Sequence, residues 1–263
     1  AQLLSTRLRE SLMPRLVRTL RRLRAQKLAN FAIKSVQPAA TANHHFSRKE
    51  KVVSEKEVLE ILRKVGAVIT NSHIVYTSGK HGSAYVNKDA VYPHIWAISA
   101  LCEEIAQRSV DYDAEAVIAP AVGGVILSTR VAESLEELGY VDHVLGVYAD
   151  KDGDNFVIKR GYDKLIKGKR VLVVEDVLTT GGSVKKVIEA VRACGGEVVG
   201  VGVLCNRGGI KTENIGNPPE LFALVNVQMD AWDAEDCPLC KAGVPINTDV
   251  GKGREFLAKQ QKQ

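Results

Sequence analysis

No apolar run in the 263 residues approaches the length needed to cross a bilayer, and no clean apolar stretch has the form of a secretory signal core. Both absences argue against a membrane-embedded or secreted chain. Cysteine is sparse: of five residues, three lie in or beside apolar runs, which fits reduced thiols and not a disulfide framework. No internal repeat or low-complexity tract interrupts the body. Acids are scarce only at the start. Residues 1–51 hold 12 Lys/Arg against 2 Asp/Glu, a charge of +10, and the rest holds 24 against 29, a charge of −5. The formal +5 therefore belongs to a basic leader on a mildly acidic body, and it is no sign that the body binds nucleic acid.

What is present first is that leader. Leucines recur at helical spacing among arginines from Leu3 to Leu28, with Pro14 interrupting, and PAATANHHFSRKE follows as a linker. Three readings fit residues 1–51: an organellar transit segment, a basic tail for a partner or RNA, or upstream sequence without a role in the fold. The division is then 1–51 as extension and 52–263 as the working domain. The location is cytoplasmic, or organellar if the leader is a transit peptide.

The stretch with the most chemistry is Val171 to Val184, VLVVEDVLTTGGSV. Four apolar residues mark a buried strand, Glu175 and Asp176 follow, and Thr179-Thr180-Gly181-Gly182-Ser183 opens a helical pattern through Val184, Val187, Ile188 and Val191. A Thr/Gly/Ser loop at a helix N-terminus offers free N–H groups and hydroxyls to a phosphate, and the helix dipole favours the negative charge. The carboxylates cannot bind phosphate, but they suit ribose hydroxyls or a hydrated Mg²⁺ ion. Together these parts imply a ribose 5-phosphate. The Walker alternative fails because no Lys follows Gly181-Gly182.

Other segments fit around it. Ser54-x-x-Glu57 is a capping box, with Val58, Leu59, Ile61, Leu62 and Val65 inward and Gly66 as the stop. Residues 74–89 form two short strands around a basic turn in which Lys80, His81 and Lys88 bring positive charge. His94 to Arg108 is helical, with Ile95, Ile98, Leu101, Cys102 and Ile105 inward. A strand at 116–119 leads through Gly123-Gly124, a second candidate anion turn, into a helix over 125–138. A further strand at 144–148 precedes a polar hairpin that reads as a mobile lid carrying Lys151, Lys159 and Arg160, with an exposed hairpin of solvated charges as the alternative. Strands at 198–204 and 221–227 flank Arg207, a natural fork for a planar carboxylate at a strand's C-terminal end. The alternation predicts an α/β body with a mainly parallel sheet, helices on its faces and a small N-terminal hood. Cys237-Pro-Leu-Cys240 has the look of half a zinc site, but no second CxxC or nearby His accompanies it. Only Cys205 or a second subunit remains as a source of ligands, and a structural turn is the expected reading.

The Glu175–Ser183 string is similar to the phosphoribosyl pyrophosphate signature of the type I phosphoribosyltransferases. Residues 54–254 resemble the orotate phosphoribosyltransferases, in the subgroup with a short lid. Thr77 to Tyr85 matches the substrate hairpin, Ala119 to Gly124 the pyrophosphate loop, Tyr148 to Tyr162 the lid, and Arg207-Gly208 the orotate contact. The CPLC tail also resembles that subgroup's terminus. The resemblance implies transfer of ribose 5-phosphate from phosphoribosyl pyrophosphate to orotate, in pyrimidine biosynthesis. Phosphoribosyl pyrophosphate would meet Glu175, Asp176, Val177, Leu178, Thr179, Thr180, Gly181, Gly182, Ser183, Gly123, Gly124 and Lys80. Orotate would meet Thr179 and Arg207. Lys151 and Asp176 would be catalytic, and Mg²⁺ would be held by Glu175 and Asp176 through water. A homodimer is implied, without nucleic acid on the body and without a membrane. Two departures stand out: Ala121-Val122 replaces Tyr-Lys, and the lid holds few cations. Alternatives are a transferase for purines or another base, with only Tyr85, Tyr148 and Tyr162 for stacking, and an RNA-binding regulator that senses phosphoribosyl pyrophosphate.

Overall fold

The computed structural model describes residues 53–139, 141 and 143–260; the expectations for the 1–51 leader lie outside them. The body opens with α1 (Glu55–Lys64), capped reciprocally as expected. The Glu57 N–H donates to Ser54 Oγ, and the Ser54 N–H donates to Glu57 Oε2 at 2.9 Å. Gly66, at φ +70°, lets the chain turn out of the helix.

The main sheet is built from β5 (Ala116–Pro120), β6 (Leu145–Asp152), β7 (Asn155–Val157), β8 (Arg170–Leu178), β9 (Glu197–Asn206) and β10 (Leu221–Asn226). Its spatial order is β10-β9-β8-β5-β6-β7, parallel throughout except for β7 against β6. The intervening helices include α2 (Ile95–Arg108), α3 (Gly124–Leu138), α4 (Tyr162–Ile166) and α5 (Gly182–Ala193). Val171 and Val173 join one buried layer with α5; Leu172 and Val174 join the other with α1, α2 and α3. A strand covered on both faces must be apolar at every position, which is why VLVV carries no alternation.

The order of connections matters most. From β5 the chain moves to β6 on one side, then crosses back to β8 on the other. The loops leaving β5 and β8 therefore diverge, and a crevice opens between them at the strands' C-terminal ends. Ligands in open α/β sheets bind at such a reversal.

The hood is made of two antiparallel ribbons: β1 (Val68–Ile69) with β4 (Tyr85–Val86), and β2 (Ile74–Val75) with β3 (His81–Gly82). The tail adds the short helices α6 (Pro238–Lys241) and α7 (Gly253–Gln260). It is bound to the hood by bonds from Asn247 N to His73 O at 2.8 Å and from His81 N to Trp232 O at 2.7 Å.

Two expectations are corrected here. Ile95 does not point inward; it is 57% exposed, because it starts α2 where the first turn overhangs the core, and Trp96 is exposed beside it. His81 is not a surface cation of the hairpin turn. It is fully buried, and burial with its neighbour His73 lowers its pKa.

Candidate active site

The crevice is defined by contacts between its two loops. Asp176, 4% exposed, accepts the Lys88 ammonium at 3.0 Å and the Tyr92 hydroxyl at 2.8 Å on Oδ2. Its Oδ1 accepts the Val177 N–H at 2.7 Å. Asp176 faces the hood, and the Glu175 carboxyl stands close enough to share a side-chain hydrogen bond with it. A Cβ placed on Gly123 would stand 3.0 Å from Lys88 Nζ, 3.3 Å from Asp176 Oδ2 and 3.4 Å from the Tyr92 hydroxyl. The loop after β5 therefore comes against the acids of β8, and glycine keeps open the space between them.

Electrostatics at this point are unbalanced. Burial raises the pKa of Glu175 well above the ordinary carboxylate range, and the adjacent Asp176 raises it further. For Lys88, burial works to lower the pKa, but Asp176 outweighs it and the net shift is upward, so the lysine stays charged. Burial and Asp176 also push Tyr92 far up, leaving it a neutral hydrogen-bond donor.

The signature loop leads from β8 into α5. Gly181, at φ +75°, occupies the N-cap, and among the described residues no side chain caps the helix. Thr179, Thr180, Gly182 and Ser183 are exposed, while Gly181 is buried with room for no side chain: a Cβ there would come 2.5 Å from Ile215 Cγ2. The loop after β9 buttresses this turn. Asn206 ties it by donating to Ile210 O at 2.9 Å and accepting from Ile210 N at 3.0 Å, and a Cβ on Gly208 would collide with the Thr179 carbonyl. Uncapped N–H groups at a helix start and exposed hydroxyls are what an anion needs.

Arg207 follows β9, with its N–H bonded to Leu178 O at 2.9 Å. Its guanidinium lies over the Tyr76 ring, 4.9 Å from the centroid. Tyr76 is anchored by its hydroxyl to Ala84 O at 2.8 Å, so the hood and the β9 loop meet at this pair.

The lid residues are arranged differently. Residues 145–157 form a hairpin turning at Gly153-Asp154. Lys159 pairs with Asp152 at 3.3 Å, and Arg160 pairs with Asp150 at 3.3 Å beside the Tyr148 ring. Lys151 is exposed and makes no ion pair among the described residues. None of the three bonds to residues 175–183. Lys80 likewise pairs outside residues 175–183, with Asp233 at 3.2 Å.

The structure sets Gly123 against Asp176, one residue after Glu175 and just ahead of the 179–183 loop, and gives Lys88 a specific partner. Tyr92 and Tyr76 were missed. Neither carries a signal in its own neighbourhood, since each meets a partner more than eighty positions away: Tyr92 meets Asp176, and Tyr76 meets Arg207. The expectation for the tail is also corrected. Cys205 is buried in the sheet and gives nothing to Cys237 and Cys240; the residues beside them are His73 and His81. "No nearby His" held along the chain only, because the hood folds back onto the tail.

Residues 92–233 match the family model for the phosphoribosyl transferase domain, which defines the class. The chain is 38% identical over 194 residues to the orotate phosphoribosyltransferase of Caldanaerobacter subterraneus, covering 74% of this chain and 96% of that one. It is 39% identical over 197 residues to the orotate phosphoribosyltransferase of Thermotoga maritima, covering 74% and 98%. The crystal structure of the Mycobacterium tuberculosis orotate phosphoribosyltransferase superposes with a TM-score of 0.54 at 23% identity, over 66% of this chain and 96% of that one, and so shares the fold. The chain belongs to the orotate phosphoribosyltransferases.

Proposed function

We propose that the β5/β8 crevice transfers ribose 5-phosphate from phosphoribosyl pyrophosphate to orotate, giving orotidine 5′-monophosphate and pyrophosphate. The observation that carries this reading is the approach of Gly123 to Asp176 and Lys88 in front of an uncapped helix start. The 5′-phosphate sits on the N–H groups and hydroxyls of Thr179 to Ser183. The ribose hydroxyls face Glu175 and Asp176, and the pyrophosphate lies along Gly123-Gly124. Arg207, steadied by Tyr76, and Thr179 face the orotate ring and carboxylate.

In the reaction the bond from C1 to the pyrophosphate oxygen breaks as the bond to the orotate nitrogen forms, with inversion. That nitrogen is already acidic, so no strong base is needed. Charge builds on the leaving pyrophosphate, and cations that meet it there stabilise the transition state more than the ground state. Lys151, exposed and without an ion-pair partner among the described residues, is assigned to that charge, and Lys88 beside Gly123 joins it. The residues also fit Mg²⁺: two consecutive acidic side chains at the end of β8 offer oxygen donors, which together with water suit this ion. Held through water by Glu175 and Asp176, it would neutralise phosphate charge.

Exposed Ile95, Trp96 and Val122 supply apolar surface for a homodimer, in which the lid is donated to the neighbouring copy. Among the described residues no helix is long and apolar enough to cross a membrane, and a cytoplasmic site of action is proposed, organellar if residues 1–51 direct it. Those residues are assigned to an extension and 52–263 to the transferase; deleting 1–51 should leave turnover unchanged, and loss of turnover would place them in the working unit.

The test is depletion of the orotate absorbance band with phosphoribosyl pyrophosphate and Mg²⁺. The intact chain should consume orotate, Asp176→Asn should be nearly silent, and Lys151→Ala should lose kcat with little change in the binding of phosphoribosyl pyrophosphate. Orotate left untouched by the intact chain would overturn the reading.

A further inference from the structure

Outside the crevice, the molecule holds a second convergence of chemistry. His73, His81, Cys237 and Cys240 turn one ligand atom each toward a common point, and these four atoms all lie within 4.8 Å of one another. We propose that this cluster is a structural zinc site that clamps the tail to the hood.

The distances fit a tetrahedral ion. Bonds of about 2.0 Å to nitrogen and 2.3 Å to sulfur separate the ligands of a filled site by roughly 3.3–3.8 Å. Here Cys237 Sγ and Cys240 Sγ each stand 3.6 Å from His73 Nε2, and Cys240 Sγ stands 3.3 Å from His81 Nδ1. The two imidazole nitrogens are 2.9 Å apart and need part only slightly to admit the ion. Two thiolates and two imidazoles in this arrangement select zinc among common divalent ions. Binding releases the two thiol protons to solvent.

Hydrogen bonding alone leaves the cluster unsatisfied. His73 Nδ1–H donates to Val244 O at 2.7 Å, so His73 Nε2 presents a lone pair. That lone pair accepts one proton, yet three neighbours crowd it. If His81 donates from Nδ1, its Nε2 is left as a buried lone pair without a partner; if it holds the proton on Nε2, that N–H is the orphan, because Nε2 has no partner in either case. An ion would take up the two imidazole lone pairs and the two sulfurs that crowd one another here; the His81 proton then stays on Nε2, which keeps no hydrogen-bond partner among the described residues and lies in a ring packed against Phe256, centroid to centroid 4.8 Å. The bond from His73 to Val244 is also the usual outer support of a zinc-bound imidazole.

The backbone holds the ligands in place beforehand. His81 exchanges both backbone bonds with Trp232, His73 O accepts the Asn247 N–H, and Cys237 O accepts the Lys241 N–H at 3.1 Å. His73 is 2% exposed, and His81 and Cys237 are fully buried. Four protein ligands leave no open position, so the role is structural. The site would fasten the hairpin carrying Tyr76 and Lys80 to a tail more than 150 residues away.

The test uses the full chain and needs no activity measurement, so its result stands apart from the transferase reading. Protein prepared without chelator should carry about one equivalent of zinc per chain, and Cys237→Ser with Cys240→Ser should abolish it. Cobalt substituted into the unaltered chain should give the intense visible bands of tetrahedral thiolate coordination, which stays informative even if the variants fail to fold. A folded chain that takes up neither zinc nor cobalt would overturn the proposal, as would weak octahedral cobalt bands.

Discussion

The crevice and the His/Cys cluster are both gatherings of polar side chains in one body, yet they are built in opposite ways. Nine consecutive residues, Glu175 to Ser183, supply most of the crevice, and its hydroxyls and helix start stay exposed. The cluster draws on residues up to 167 positions apart and is almost entirely sealed. Groups left open to water suit a ligand that must arrive and leave. Groups buried against one another suit one that stays. The two regions should therefore fail differently when altered, one in chemistry and the other in stability.

The largest effect is expected at Asp176. Asp176→Asn should lower kcat by on the order of 10²–10³-fold, with the thermal midpoint nearly unchanged. A variant that melted early but kept its turnover would erase the contrast. Cys240→Ala should do the reverse, lowering the midpoint by roughly 5–15 °C while kcat falls only a few-fold; calorimetry alongside the orotate assay decides this. The same drop should follow exposure of the unaltered chain to a zinc chelator.

Gly208→Ala sharpens the boundary of the crevice. Its new methyl group meets the Thr179 carbonyl, so the loop from Thr179 to Ser183 must shift. KM for phosphoribosyl pyrophosphate should rise about tenfold, from 1–3 kcal/mol of overpacking, with less change in KM for orotate.

Glu175 provides a pH test. Its folded-state pKa is raised, so ionisation opposes folding once pH passes the unfolded value near 4.5, and the penalty levels off above about 8. Glu175→Gln removes it. Without substrates the variant should equal the parent near pH 4 and exceed it at pH 8 by about 1–3 kcal/mol; denaturant melts across that range are the check. At the small end, Lys159→Ala breaks an exposed pair with Asp152 and should change stability by under about 0.5 kcal/mol.

The parts that were legible share one property. The capping box at Ser54, the buried strand at Val171 and the loop at Thr179 are each written within one turn or one strand, so local spacing predicts them. The same locality misled at Ile95, where helical spacing placed inward a residue that only the end of the helix turns outward. It misled at His81 as well, where a residue read as bringing positive charge to a turn is covered by the tail.

The amino-acid sequence by itself determined the α/β alternation, the acids and glycines of the proposed sugar-phosphate site and the place of Arg207, because covalent neighbours carry those features whatever the rest of the chain does. Only the tertiary structure decided that β5 and β8 lie side by side, so that Gly123 meets Asp176. It alone brought Lys88 and Tyr92 to the same carboxylate and set His73 and His81 against Cys237 and Cys240. Contacts of that kind depend on strand order and on hood-to-tail pairing, which are fixed by burial of both sheet faces and not by any motif.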